Sequence, residues 1–315
     1  MAGAFRMGPF ELMDLVGVDT GFEISKSFYA QSFGEPRWRP SPIAARYVAA
    51  GRYGRKSGRG YYDYSGPQYR EEDPPAPAEA GQGEGIVVIA GSSALTGELR
   101  EAAAAGGYEV RSPGDPLADA LPSLFIDCEA QPLRDGVAES GSAAAGGARV
   151  LLCARGSLST LDPGGSAVGF HALPPFADAR LVELVSAKGS SPLAAQRAER
   201  FFATLGKHTA WVGDAPGLVL GRIVCQVINE AAFALGEGVG SAADIDLGMV
   251  LGLSHPHGPF EWADMIGLDH VLGVLEGLCD EYREERYRPA PALRRQVADG
   301  RLGEATGGGF HELRA

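Results

Sequence analysis

The sequence predicts a mixed α and α/β protein: two related helical domains with a shortened doubly wound parallel sheet between them. Three observations carry this. First, Gly8-Pro9-Phe10-Glu11, followed by Asp14, Gly17 and Asp19, returns as Gly258-Pro259-Phe260-Glu261, followed by Asp264, Gly267 and Asp269. Second, both copies have the same sequel. Arg39-Pro40, Gly51-Arg52 and Gly58-Arg59-Gly60 recur as Arg288-Pro289, Gly300-Arg301 and Gly307-Gly308-Gly309. The register holds at 250 residues at the start and 249 at the end, so this is an internal duplication, too widely spaced for a solenoid. Third, short apolar runs between the copies alternate with helical stretches, the pattern of a parallel sheet crossed by helices.

In chain order, residues 7–30 are expected to form a helix. Phe10, Leu12, Met13, Val16 and Val18 recur near helical spacing. Pro9 suits a first turn, and Glu11 and Asp14 suit the positive end of the helix dipole. A short helix follows over 41–51, then a glycine-rich loop over 52–64 that Tyr61, Tyr62 and Tyr64 can pin to a core. The run from Arg37 to Arg59 is basic throughout, and either meets an anionic ligand such as coenzyme phosphates or balances acidic neighbours. Residues 65–84, rich in Pro and Gly, read as a linker.

The sheet is expected in 85–187. Gly85 to Gly91 reads as a buried parallel strand, then a helix over 94–105, and strands at 107–111, 123–127, 149–153 and 177–187. The second helical domain spans 188–315. It holds an amphipathic helix at 192–205, a long helix over 217–235 that is apolar nearly all round, a shorter one over 244–251, and the second copy of the repeat. The first helical domain is 1–64.

The chain has 315 residues, 45% hydrophobic, with a net charge of −12. That suffices for roughly two domains with real cores. The negative balance argues against nucleic acid and anionic membrane, both of which need a positive face. Cys128, Cys153, Cys225 and Cys279 are widely spaced in apolar surroundings and read as buried reduced thiols, which suits a cytoplasmic protein. No charged-then-apolar leader or long apolar run is present.

A dinucleotide-binding sheet should carry G-x-G-x-x-G after its first strand and an acid about twenty residues on. The chain has Gly91-Ser92-Ser93-Ala94-Leu95-Thr96, then Arg111 and Ser112. Only the first glycine stands. Ser93 puts a side chain where backbone must approach a pyrophosphate, so Gly91 and Ser93 read as a vestige of a cofactor site. A nucleotide held through Gly91 and Arg111 is a separate reading.

Together these stretches resemble the 3-hydroxyacyl-CoA dehydrogenase family. Residues 5–64 are similar to its C-terminal helical domain, with M-G-P-F-E-L-x-D, a basic R-x-x-P and a glycine-rich ending. The second copy reaches further back. Leu205-Gly206-Lys207 and Asp214-Ala215-Pro216-Gly217 to Arg222 resemble A-L-G-K and D-x-P-G-F-I-x-N-R. Ala243-Asp244-Ile245-Asp246 resembles E-D-I-D, and Gly169-Phe170-His171 to Glu183 resembles G-x-H-F-F-N-P to L-V-E-V-V. The resemblance implies helical C-terminal-type domains beside a reduced Rossmann-like module, NAD as cofactor, and a 3-hydroxyacyl-CoA substrate of fatty-acid or aromatic-acid degradation.

It also implies a catalytic pair: His171 takes the hydroxyl proton and Glu183 orients and charges it. The family's serine falls at Gly156, with Ser157 adjacent as a substitute. Its two asparagines fall at Pro174 and Gly221. The second unit therefore reads as a degenerate dehydrogenase kept for packing, dimerisation or shaping a partner site. The first unit reads as the tail of a domain whose head is absent, either because the product is truncated or because a separate chain supplies that head, and the apolar face of helix 7–30 then needs another partner. The expected partners are an acyl-CoA substrate and either a second copy, as a homodimer through the helical domains, or an N-terminal dehydrogenase domain. A non-catalytic acyl-CoA-binding or dimerisation module is the rival reading.

Overall fold

A computed structural model describes residues 5–66, 69–70, 74–117, 121–132 and 148–312. It divides into two compact units, one of Phe5–Pro74 with Glu284–Arg286, the other of Pro75–Arg283 with Tyr287–Ala315.

The smaller unit contains α1 (Pro9–Val16), α2 (Val18–Gln31) and α3 (Pro42–Ala49). The single helix expected over 7–30 is thus two. Apolar spacing runs through both, but Gly17 sits at φ 105, where a side chain is strained. The break lets the Val18 N–H reach the Tyr53 carbonyl at 3.1 Å. Asp14 is buried and ties the glycine loop to α1, accepting from the Tyr61 and Tyr62 N–H groups at 2.9 Å each and from the Tyr64 hydroxyl at 3.1 Å. A Cβ on Gly60 would collide with that carboxylate. Among the basic residues of 37–59, Arg55 pairs with Glu11 at 3.3 Å and Lys56 with Asp19 at 2.6 Å, in line with the balancing reading.

The larger unit opens with the sheet module: β1 (Ile86–Ala90), α4 (Ala94–Ala105), β2 (Glu109–Arg111), β3 (Leu124–Asp127), β4 (Ala148–Leu152), α5 (Leu158–Leu161), β5 (Val168–His171), β6 (Leu181–Ser186), α6 (Pro192–Thr204) and β7 (His208–Trp211). The strand order is β2-β1-β3-β4-β5-β6-β7, parallel throughout except for the antiparallel β5–β6 pair. Ile89, Ile126, Val150, Phe170 and Leu184 are fully buried, and each contributes about 1.5–3 kcal/mol of hydrophobic stabilisation. Two strands go beyond the five expected. β5 is four residues interrupted by Gly169, where a side chain would collide with Cys153 and Val185. β7 is a half-exposed edge. Neither has alternation long enough to be read. At the end of the expected linker, the Gly81 N–H bonds the Thr204 carbonyl at 2.9 Å and the Gly83 N–H bonds Gly106 at 2.8 Å, so those residues lie against the module. Residues 67, 68 and 71–73 of the linker lie outside the described residues.

The helical part contains α7 (Leu220–Gly236), α8 (Ala242–Leu253), α9 (Pro259–Ile266), α10 (Leu268–Tyr282) and α11 (Pro291–Ala298). α7 packs against α9, α10 and α11, which explains its apolar circumference. Asp244 closes a reciprocal cap with Ser241 at the start of α8. Asp246 accepts from the Phe260 and Glu261 N–H groups at 2.8 and 3.0 Å and so starts α9. The two acids of Ala243-Asp244-Ile245-Asp246 therefore begin two consecutive helices. Asp264 repeats the Asp14 latch, accepting from Phe310 and His311 N–H at 2.9 Å each. Among the described residues no helix is long and apolar enough to cross a membrane.

Candidate functional site

The β5–β6 register sets His171 directly opposite Glu183. Opposed residues of an antiparallel pair share one face, so the two residues expected to form the acid–base pair are neighbours, and both are buried. Their side chains nonetheless have other partners. Glu183 accepts from Val219 N–H at 2.9 Å and Leu220 N–H at 3.0 Å, donors at the start of α7 that have no intrahelical acceptor. It serves there as an anion at a helix N-terminus. Burial raises its pKa, and the two N–H groups pull the other way.

His171 has its Nε2 3.3 Å from Nε2 of His270, on α10. Its Nδ1 is buried without a hydrogen-bond partner. Burial holds the His171 pKa well below the usual histidine value, and the neighbouring His270 lowers it further. His270 is itself held down to about 4, chiefly by burial, with Asp269 opposing and Arg155 adding to the depression. Both imidazoles are neutral near pH 7. Uncharged at Nδ1 by any carboxylate, His171 lacks the partner that would stabilise its conjugate acid.

The remaining expected site residues are also engaged elsewhere. A Cβ on Gly221 would collide with the His171 ring, so the imidazole fills the space where the family's asparagine would project. The Pro174 carbonyl accepts from the Trp262 indole N–H at 3.0 Å, docking α9. Ser157 is buried beside Thr160, its Oγ 3.3 Å from that hydroxyl. Asp214 clamps the same turn, accepting from the Leu158 and Ser159 N–H groups at 2.7 and 2.9 Å.

A cleft of about 430 Å³ lies beyond the C-terminal ends of β1, β3 and β4, lined by Ser92, Ser93, Glu129, Arg155, Asp269 and His270 among others. Ligands bind at this edge in doubly wound sheets. The turn from β1 to α4 does not fit a dinucleotide, however. Ser93 Oγ accepts the Thr96 N–H at 3.3 Å and caps α4 internally. Ser92 donates to Glu129 Oε1 from both its N–H, at 2.7 Å, and its hydroxyl, at 2.6 Å. A carboxylate thus stands where a pyrophosphate would need to approach, and would repel it. On β2, Arg111 replaces the ribose-binding acid and pairs with Glu109. Gly91, at φ 124, serves the turn's own packing against Thr96 and Cys128.

Sequence reasoning did not single out Glu129, Arg155, Asp214 or His270. Asp214 lay within a matched motif and could have been found there. His270 had no signal, since the first copy has Thr20 at the corresponding place. The thiols of Cys128, Cys153 and Cys225 are buried and free, with the Cys128 pKa pushed up to about 12 by burial. Among the described residues no cluster of metal-ligating side chains occurs.

Comparison with known proteins gives a consistent picture. The family profile described as "3-hydroxyacyl-CoA dehydrogenase, C-terminal domain" matches residues 1–64 and 217–313. The 3-hydroxyadipyl-CoA dehydrogenase of Escherichia coli K12 is 29% identical over 298 residues, covering 93% of this chain and 51% of that protein. The 3-hydroxybutyryl-CoA dehydrogenase of Bradyrhizobium diazoefficiens is 39% identical over 147 residues, 47% of this chain and 50% of that protein. The chain spans about half the length of the curated relatives it matches. Among solved structures, 3-hydroxybutyryl-CoA dehydrogenase from Escherichia coli K12 superposes with a TM-score of 0.64 at 25% identity, over 94% of this chain and 52% of that one. The (S)-3-hydroxybutyryl-CoA dehydrogenase from Ralstonia eutropha gives 0.54 at 27% identity, over 73% and 99%.

Proposed function

The chain belongs to the 3-hydroxyacyl-CoA dehydrogenase family, and from that premise we propose that it supports NAD-dependent oxidation of a 3-hydroxyacyl-CoA without carrying the catalytic set. On this reading its two helical C-terminal-type domains shape an acyl-CoA groove or a dimer. The hydride exchange with NAD takes place on a companion dinucleotide-binding domain, in the same or another polypeptide. His171, Glu183 and Ser157 are then inherited positions used for packing and capping.

One observation carries the proposal. Glu183 spends its carboxylate on the N-terminus of α7, leaving His171 Nδ1 bare and Nε2 against a second neutral imidazole. A base in that state gains little from taking a substrate proton, because nothing stabilises the imidazolium it would become. The misfit of the β1–α4 turn to a dinucleotide points the same way.

The test is a direct assay. Purified chain, 3-hydroxybutyryl-CoA and NAD are mixed and NADH absorbance is followed, with His171→Ala beside it. The expected result is no turnover from either. Turnover that His171→Ala abolishes would overturn the proposal and make the middle module a working site. A second arm adds the dehydrogenase half of a relative and asks whether this chain raises its rate or its affinity for acyl-CoA.

A further inference from the structure

The duplication lets one copy serve as a template for the other, and the two differ at one ion pair. In the first copy the Lys56 ammonium binds both carboxylate oxygens of Asp19, at 2.6 and 2.7 Å. It lies 3.0 Å from the place where a side chain on Gly17 would begin. Gly267, Asp269 and Ala305 are the second-copy counterparts of Gly17, Asp19 and Lys56. The two glycines share a backbone conformation, with φ at 105 and 96. The acid also keeps its place, its Oδ1 2.9 Å from the Gly17 position and 3.0 Å from the Gly267 one. What changes is the cation. Alanine at 305 ends at its Cβ, and the Asp269 carboxylate has no hydrogen bond or ion pair among the described residues.

Gly267, Asp269 and Ala305 all line the cleft of about 430 Å³, a volume in the range of small-molecule sites. Arg155 lines it as well. Its side chain lies along Gly273 of α10, with Cγ 3.1 Å and Cζ 3.5 Å from where a side chain there would begin. Gly273 is four residues after Asp269 and so lies on the same face, one turn on. The guanidinium is half-buried, and it too has no hydrogen bond or ion pair among the described residues. Charges drawn partly out of water are ordinarily paired. Here two of opposite sign share one cleft and do not pair with each other. Glu129 and Asp264, the other charged residues of the lining, are committed to Ser92 and to the Phe310 and His311 N–H groups.

We propose that this cleft binds a short ω-amino acid. Its primary ammonium rests on Asp269, at the place the first copy gives to the Lys56 Nζ, and its carboxylate takes a two-pronged bond from Arg155. A guanidinium presents paired donors that match a carboxylate, whereas an ammonium is a compact charge that suits a single acid. Neighbours one turn apart on a helix face are roughly 5–6 Å apart. That is the span between the two ends of a three- or four-carbon ω-amino acid. An α-amino acid carries its charges on adjacent carbons and falls short of it. The site is independent of turnover at His171 and of the acyl-CoA reading, since neither NAD nor an acyl-CoA carries a primary ammonium.

The test titrates the full chain with β-alanine and 4-aminobutanoate in a calorimeter, with propylamine and propanoate as half-ligands. The expected result is saturable one-to-one binding of an ω-amino acid, about tenfold or more tighter than either half-ligand. Asp269→Asn and Arg155→Gln each weaken it by a similar factor while the melting temperature holds. Ala305→Lys, which returns the first copy's lysine to the acid, abolishes binding and leaves the fold intact. No binding of either amino acid to the unaltered chain would overturn the proposal. So would undiminished binding in Ala305→Lys, or equally tight binding of propylamine, which would remove Arg155 from the site.

Discussion

Glu129 and Ser92 are joined twice, the carboxylate accepting from both the N–H and the hydroxyl of the serine. The turn that would cradle a phosphate in a working dinucleotide fold is thereby closed by a charge of the same sign as the phosphate. NAD and ADP are expected to show no binding to this chain in equilibrium dialysis. Glu129→Gln is expected to leave NAD unbound as well, since Ser93 and Arg111 remain. NAD retained by the unaltered chain would refute this.

Glu183→Ala should destabilise the larger unit by about 1–3 kcal/mol, because two half-buried N–H groups at the head of α7 lose their acceptor. Glu183→Gln, which keeps an acceptor and loses the charge, should cost less, about 1 kcal/mol. Denaturant melts of the two variants distinguish a capping carboxylate from one whose only role is to charge His171, for which stability would not change.

Gly221→Asn restores the residue that the resemblance calls for and should destabilise by about 1–3 kcal/mol, since its Cβ collides with the His171 ring. Pairing it with His171→Ala should recover part of that loss. Simple additivity in the double-mutant cycle would contradict the steric account.

Stability should fall as the pH drops from about 6.5 toward 4. His270 is neutral when folded, with its pKa held to about 4, whereas unfolded it takes a proton near the ordinary value of 6.5. The unfolded state therefore binds more protons in that window, and the folded state loses about 2 kcal/mol by pH 5 from this group alone. His171, depressed in the same direction, adds to the loss. Chemical melts at pH 7.5 and pH 5 measure it, and His270→Gln should flatten the difference.

Gly60→Val and Gly309→Val should each destabilise their own unit by more than about 2 kcal/mol, because any Cβ there meets the latch carboxylate of Asp14 or Asp264. An unchanged melting temperature in either would count against the latch.

The duplication, the mixed fold and the family were legible because they rest on glycines, prolines and acids whose spacing is strict. Gly17, Gly60, Gly267 and Gly309 cannot be replaced without a collision or strain, so the motif survives in sequence. The strands β1, β3, β4 and β6 were legible from apolar runs and β2 from Tyr108 and Val110, whereas β5 is interrupted by Gly169 and β7 is a half-exposed edge without an apolar run. The register sets His171 opposite Glu183, the two residues the resemblance singles out. What the sequence could not carry was where the carboxylate goes. That choice depends on two backbone N–H groups thirty-six and thirty-seven residues away, which have no residue-type signal. Glu129 was invisible for the same reason: its partner is the backbone and hydroxyl of a serine across the sheet edge.

The latch of Asp14 on the Tyr61 and Tyr62 amides has the same geometry as that of Asp264 on Phe310 and His311, although only one of them lies under a long helix. Its closure therefore needs nothing from that helix. A stretch of some fifty residues, from Pro9 to Tyr62, holds its own ends together and qualifies as a cooperative folding unit. In the second copy the same latch joins the hairpin of α9 and α10 to its glycine loop.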